Sequence, residues 1–164
     1  VGKSARTEHR FHPCTSLRSM KRFEFTQKIQ KFIDAPHVLG DPSKGWDCLN
    51  ILREVYTLLG KDFPTEFKGW DADNYAERWK RGEGKDVYRE FLFSLGSPVD
   101  PAYALEGDLF IFEGAEQLFP GIYLGRGHIL MVFAPCDTKQ KNRGCKVVPF
   151  SFFKKFLIGI RRLS

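Results

Sequence analysis

The sequence has no apolar run approaching the roughly 18 residues that a membrane-crossing helix needs, so no membrane span is expected. It has no internal repeat and no low-complexity block, which excludes solenoid and collagen-like classes. Cysteine is scarce. Cys14, Cys48, Cys136 and Cys145 are too few and too scattered for a disulfide-rich scaffold. Neither a CxxC pair nor an HExxH stretch occurs, so no metal centre and no cofactor is expected. Residues 1–19 are polar and basic, without the apolar stretch of a secretory signal. The expectation is therefore a chain that stays in the cytoplasm unless something else delivers it.

What is present is ordinary globular material. The 164 residues are 42% hydrophobic and 28% charged, enough for one packed domain and short for two. The formal charge of +6 raises a nucleic-acid reading, but its distribution is uneven. Residues 1–19 carry Lys3, Arg6, Arg10 and Arg18 against Glu8, and residues 137–164 carry eight basic residues against Asp137. The body between them is net acidic. A basic C-terminal region of this kind suits an acidic polymer, or else lysines that protect a sheet edge from aggregation.

Residues 1–19 show no helical or alternating period and read as a flexible basic arm ahead of a domain over 20–164. His9, His12 and Cys14 in it are solvated tail residues or a metal-binding arm. A short amphipathic helix is expected over 20–33, then a loop through PHVLGDPSKGWD. The cleanest helix runs from Cys48 to Leu59: Leu49, Leu52, Val55, Tyr56 and Leu59 recur at three- and four-residue steps, Asp47 is a natural N-cap, and Gly60 closes it. Further helices are expected at 72–81 and 85–95. After Pro98 come β-rich runs at 109–112, 119–125, 128–134 and 145–150, with a tight hairpin at GRG (125–127). The last stretch reads as a helical turn followed by an edge strand. Helices first and an antiparallel meander second make an α+β domain. Cys136 and Cys145 bracket a polar stretch, as two free thiols or as a clip across a hairpin.

Cys48 is the residue with the chemistry. At the first turn of a helix, unpaired amides and the positive end of the dipole favour a thiolate, and a thiolate is a nucleophile. Position alone leaves an inert, half-buried cysteine as the alternative. Trp46, Trp70, Tyr75, Trp79 and Tyr103 are either packing aromatics or the wall of a peptide or glycan groove.

The run PHVLGDPSKGWDCLNILREVYTLLGKDFP resembles the nucleophile segment of the NlpC-type cell-wall peptidases, which are papain-like cysteine hydrolases. Pro36, Gly40, Gly45, Asp47, Cys48, Gly60 and Pro64 fall at matching positions. EGDLFIF (106–112), GIYLGRG (121–127) and KVVPFS (146–151) resemble the strand motifs that follow in that family, in the same order. The resemblance covers about 36–151. It implies a papain-like NlpC-type domain, with the Cys48 helix packed on a small antiparallel sheet, and hydrolysis of peptide or amide bonds in cell-wall peptides.

The departures fall on the catalytic set. Where the family has its histidine base, this chain has Phe119, and the residue that would orient it falls near the apolar Met131. Asn50 replaces a small glycine and is expected to crowd the pocket. His37, at the position of a family tyrosine, becomes the candidate base, paired with Cys48 as thiolate and imidazolium. The alternative is that it packs the loop. His128 is a weaker candidate: with Gly125-Arg126 as a two-residue turn it pairs with Tyr123, about 13 Å along the hairpin from the Phe119 position. Asp47, His128 and Trp46 complete the site as supporting residues. Three functions stand at this stage: a cysteine hydrolase with a substituted base, an inactive binding or structural module like those of phage tails, and a basic nucleic-acid binder. A phage-associated location is the alternative to the cytoplasm, and nothing in the sequence sets the oligomeric state.

Overall fold

The computed structural model describes residues 24–115, 117–134 and 144–164. The expectations for the arm at 1–19, with His9, His12 and Cys14, and for Cys136 lie outside the described residues. Residues 24–29 are helical (α1) and run into a 3-10 turn, Gln30–Phe32. Three helices follow: α2 (Cys48–Leu58), α3 (Tyr75–Lys80) and α4 (Lys85–Ser94). A two-residue antiparallel ribbon, β1 (Glu66–Phe67) with β2 (Trp70–Asp71), sits between α2 and α3.

The remaining strands form one six-stranded antiparallel sheet in the order β3-β8-β4-β5-β6-β7. They are β3 (Ser97–Pro98), β4 (Leu109–Glu113), β5 (Leu118–Gly125), β6 (His128–Val132), β7 (Cys145–Pro149) and β8 (Leu157–Arg162). From β4 to β7 the strands are a meander of consecutive neighbours. Alternation along them feeds two cores, because successive side chains face opposite ways. Leu109, Ile111, Ile122, Leu130 and Val132 face α2 and α4, where they meet Leu52, Val55, Tyr56, Phe91 and Leu92. Phe110, Phe112, Ile129, Met131 and Ile160 face the other way, under Phe150 and Phe153.

α2 forms where its three- and four-residue spacing predicts, and it buries Ile51, Leu52, Val55 and Tyr56 against the sheet. The Tyr56 hydroxyl donates to the Gly107 carbonyl at 3.1 Å and fastens the helix to the approach of β4. Two expectations are corrected. β8 is interior, between β3 and β4, and the edge is the two-residue β3. Its basic residues are partly exposed and bonded within the protein. Arg161 donates to the Leu95 and Gly96 carbonyls, and Arg162 makes a two-pronged ion pair with buried Asp108 at 2.8 and 2.7 Å. The hairpin turn is also displaced by one residue. Arg126 and Gly127, at φ 51° and 73°, form it, since a two-residue turn of this hand needs positive φ at both central positions. His128 therefore pairs with Gly125, across a bulge, and Ile129 takes the place opposite Tyr123 that His128 was expected to hold.

Candidate active site

Asp47 sets the geometry of the site. Its buried carboxylate caps α2 by accepting from the Leu49 and Asn50 amides at 2.9 and 2.8 Å. The other oxygen accepts from the Gly40 amide at 2.7 Å, the Asn50 side-chain amide at 3.1 Å and the Tyr75 hydroxyl. Gly40, at φ +75°, turns the loop so that its N–H reaches this oxygen, and a Cβ there would lie 2.6 Å from the Ala76 Cβ. Asn50 does not crowd the pocket as expected. Its side chain is buried beside Asp47 and donates to the Tyr75 hydroxyl at 2.8 Å, so it belongs to the cap.

Cys48 opens α2 with its Sγ 3.8 Å from the Val132 carbonyl oxygen at the end of β6. The sulfur is thus held against the sheet. Burial, joined by the Asp47 carboxylate next to it, pushes the thiol up to about 12. That push runs against the thiolate expected from the helix start. The helix-start amides of Leu49 and Asn50 point at the Asp47 carboxylate, so they do little for a sulfur anion.

Cys48 and His37 both line one cavity of ≈ 470 Å³. His37 is half-buried in the loop, where it bridges to Trp46 in a short parallel pairing. Burial lowers its pKa, against a partial upward pull from Asp47. Both members of the expected ion pair are therefore driven toward their neutral forms. Trp46 is not part of the cavity wall; its ring packs edge-on against Phe32 with centroids 4.9 Å apart. His128 is exposed and also absent from the wall. It starts the strand that ends at Val132, about 13 Å away along β6. Of the five site residues, Cys48, His37 and Asp47 come together, and Trp46 and His128 do not join them.

Of the candidate groove aromatics, Trp70, Tyr75 and Trp79 line the cavity, and Tyr103 is exposed elsewhere. The Trp70 ring lies over Gly84, where a Cβ would meet it at 2.4 Å, and under the Arg78 guanidinium at 4.0 Å. Sequence reading passed over Arg53 and Tyr88, which also line the cavity. Arg53 lies on α2 with Cys48, and the packing of α4 brings Tyr88 to the same cavity.

No protein-family model matches the chain, and no curated protein does. Solved structures do. An NlpC/P60 family protein from Bacillus cereus is 17% identical with a TM-score of 0.56, over 86% of this chain and 39% of that one. The P60 domain of an antigen from Mycobacterium avium subspecies paratuberculosis is 14% identical, with a TM-score of 0.54, over 89% of this chain and 97% of that one. The peptidoglycan hydrolase RipB from Mycobacterium tuberculosis is 16% identical, with a TM-score of 0.52, over 90% and 67% of the two chains. The fold is of the NlpC/P60 type. The chain thus spans well under half of the Bacillus cereus protein and nearly all of the isolated P60 domain.

Within this NlpC/P60-type fold, the position where the resemblance puts a histidine base is Phe119, and it lines the cavity. Gly121 pairs with Met131, and that register carried back two residues sets Phe119 opposite Phe133. Phe133, two residues from Met131, lines the cavity too. Met131 is buried in the core that Phe119 and Phe133 also pack against, on the same face of the sheet.

Proposed function

We propose that this chain is a cysteine hydrolase of peptide or amide bonds in cell-wall peptides, with Cys48 as nucleophile and His37 as its base. The observation that carries the reading is that both side chains open onto one cavity in an NlpC/P60-type fold, a fold shared with the peptidoglycan hydrolase RipB. A neutral thiol and a neutral imidazole define the starting state. His37 takes the thiol proton as sulfur bonds to the substrate carbonyl carbon, acting as a general base within the attack. The Cys48 amide is the helix-start donor available for the oxyanion, because Asp47 holds the next two. The C–N bond then breaks and the leaving amine takes the proton from His37. Water, activated by the same imidazole, cleaves the thioester to release a carboxylate.

A second reading, a binding module with a retired nucleophile, is favoured by Phe119 and Phe133 in the cavity wall and by the raised Cys48 thiol. Incubation with purified muropeptides, followed by mass spectrometry, separates the two. Cleavage that disappears in Cys48→Ala and falls about 10²- to 10⁴-fold in His37→Ala supports the hydrolase. Muropeptides bound but left intact would favour the module.

A further inference from the structure

The wall of the Cys48 cavity contains more than a nucleophile and a base need. Phe67, Trp70, Trp79, Phe91, Phe133 and Phe153 form much of it. A charged side chain seated against these rings would lose its hydration without replacement, whereas an apolar group would gain by leaving water. Polar residues, among them Asp47, Thr65, Glu66, Asp71 and Gln117, also line the cavity, and two polar atoms of the wall stand apart from the rest. The Arg53 Nε and the Tyr88 hydroxyl oxygen are buried and have no hydrogen-bond partner among the described residues. Both residues line this same cavity. The buried polar side chains Asp47, Asn50 and Asp108 are bonded, as native interiors require.

The chemistry of the two orphans restricts what can satisfy them. A guanidinium only donates, and a tyrosine hydroxyl both donates and accepts. One ligand group that serves both is an oxygen acceptor, a carbonyl or a carboxylate. The Tyr88 ring is held edge-on against Trp79, with centroids 5.4 Å apart at 78°, and Arg53 projects from α2, the helix that Cys48 opens.

We propose that the Cys48 cavity binds an acyl group with a large apolar body, whose carbonyl or carboxylate oxygen is held by the Tyr88 hydroxyl and the Arg53 guanidinium. This deepens the hydrolase reading by naming the acyl side of the bond as apolar, and it rests on that reading only for the bond's cleavage. The apolar body is either an aliphatic chain or the side chain of an aromatic amino acid. The carboxylate that hydrolysis releases keeps the same body and the same oxygens, so it serves as a probe that needs no turnover.

The test uses the full chain carrying Cys48→Ala, titrated calorimetrically with sodium decanoate, with N-acetyl-L-phenylalanine and with sodium acetate. Saturable binding of decanoate or of N-acetyl-L-phenylalanine, without binding of acetate, is expected, and the one that binds identifies the source of the apolar body. Tyr88→Phe and Arg53→Met in that background should each weaken it on the order of tenfold. Tyr88→Phe should leave the melting temperature of the free protein unchanged or raised, because no bond within the protein is lost. The proposal is overturned if neither large carboxylate binds saturably, if acetate binds as well as they do, or if both variants bind like their parent. A lower melting temperature in Tyr88→Phe with binding intact also overturns it, since the hydroxyl then has a structural partner. Because Cys48→Ala cannot turn over, inactivity on muropeptides would defeat the hydrolase reading and leave this result standing.

Discussion

The ionisation of Cys48 carries the strongest quantitative expectation. A thiol of ordinary pKa, about 8.5, is about one-tenth ionised at pH 7.5. At a pKa of about 12 the ionised fraction is about 3 in 10⁵, a deficit of about 3 × 10³. Thiolates gain nucleophilicity as their pKa rises, with a slope near 0.4–0.5, which returns a factor of about 40 over that interval. Native Cys48 should therefore react with iodoacetamide about 10²-fold more slowly at pH 7.5 than the same residue in urea. The perturbation is pH, from 6 to 10, with alkylation of the Cys48 peptide followed by mass spectrometry in native and unfolded chain. Restricted access slows the reaction at every pH without moving the profile, so its position reports ionisation alone. The native rate should still be climbing at pH 10. Asp47→Asn removes the neighbouring negative charge that raises the thiol and should shift the profile downward. A native profile with its midpoint below 8.5, or a native rate at pH 7.5 matching the unfolded one, refutes the reasoning and restores a preformed thiolate.

Asp47→Ala removes the α2 cap and strands the Gly40, Asn50 and Tyr75 donors. It should cost about 3–5 kcal/mol in urea unfolding, and a loss below about 1 kcal/mol would mean those bonds are not made. Arg162→Ala leaves the Asp108 carboxylate buried without its partner. It should cost about 2–4 kcal/mol, reduced from a fully buried pair because the arginine is partly exposed; thermal and urea unfolding measure it. Burial also pushes Cys145 up to about 12. For both thiols the native chain keeps a proton that the unfolded chain releases above about pH 9. Stability is therefore undiminished below that pH and falls as pH rises from 9 toward 12, by about 1.4 kcal/mol per pH unit for each thiol. Melting temperatures between pH 7 and 11 test this, and a flat profile above pH 9 would count against two raised thiols.

The parts of the fold legible in the sequence are those written by neighbours along the chain. Asp47 and the spacing from Leu49 to Leu59 mark α2 to within a residue, because a cap and a 3.6-residue period are local. The strands from β4 to β7 show in their runs of β-branched and aromatic residues between turn residues, for the same reason. The two-residue strands β1, β2 and β3 are too short to carry a period. β8 carries one, but nothing near it says that β4 has a free edge to fill, so it read as an edge itself. The hairpin shifted by one residue because G-R-G allows two placements of the turn, and the ladder from Ile129 to Val132 selects between them.

The site divides along the same line. Sequence alone marked the residues to which the proposed chemistry is assigned: a cysteine at a helix start, a capping aspartate before it and a histidine in the adjoining loop. Tertiary structure alone decided their state and surroundings. The Val132 carbonyl against the Cys48 sulfur comes from 84 residues away and the Tyr75 hydroxyl on Asp47 from 28, distances over which sequence carries no pairing signal. Burial by those distant segments, together with the Asp47 charge, pushes the thiol up, against the helix dipole that position alone favours. The same packing brings Arg53 and Tyr88 to the cavity with their donors unmet, because desolvation is a property of the assembled fold and of no single segment.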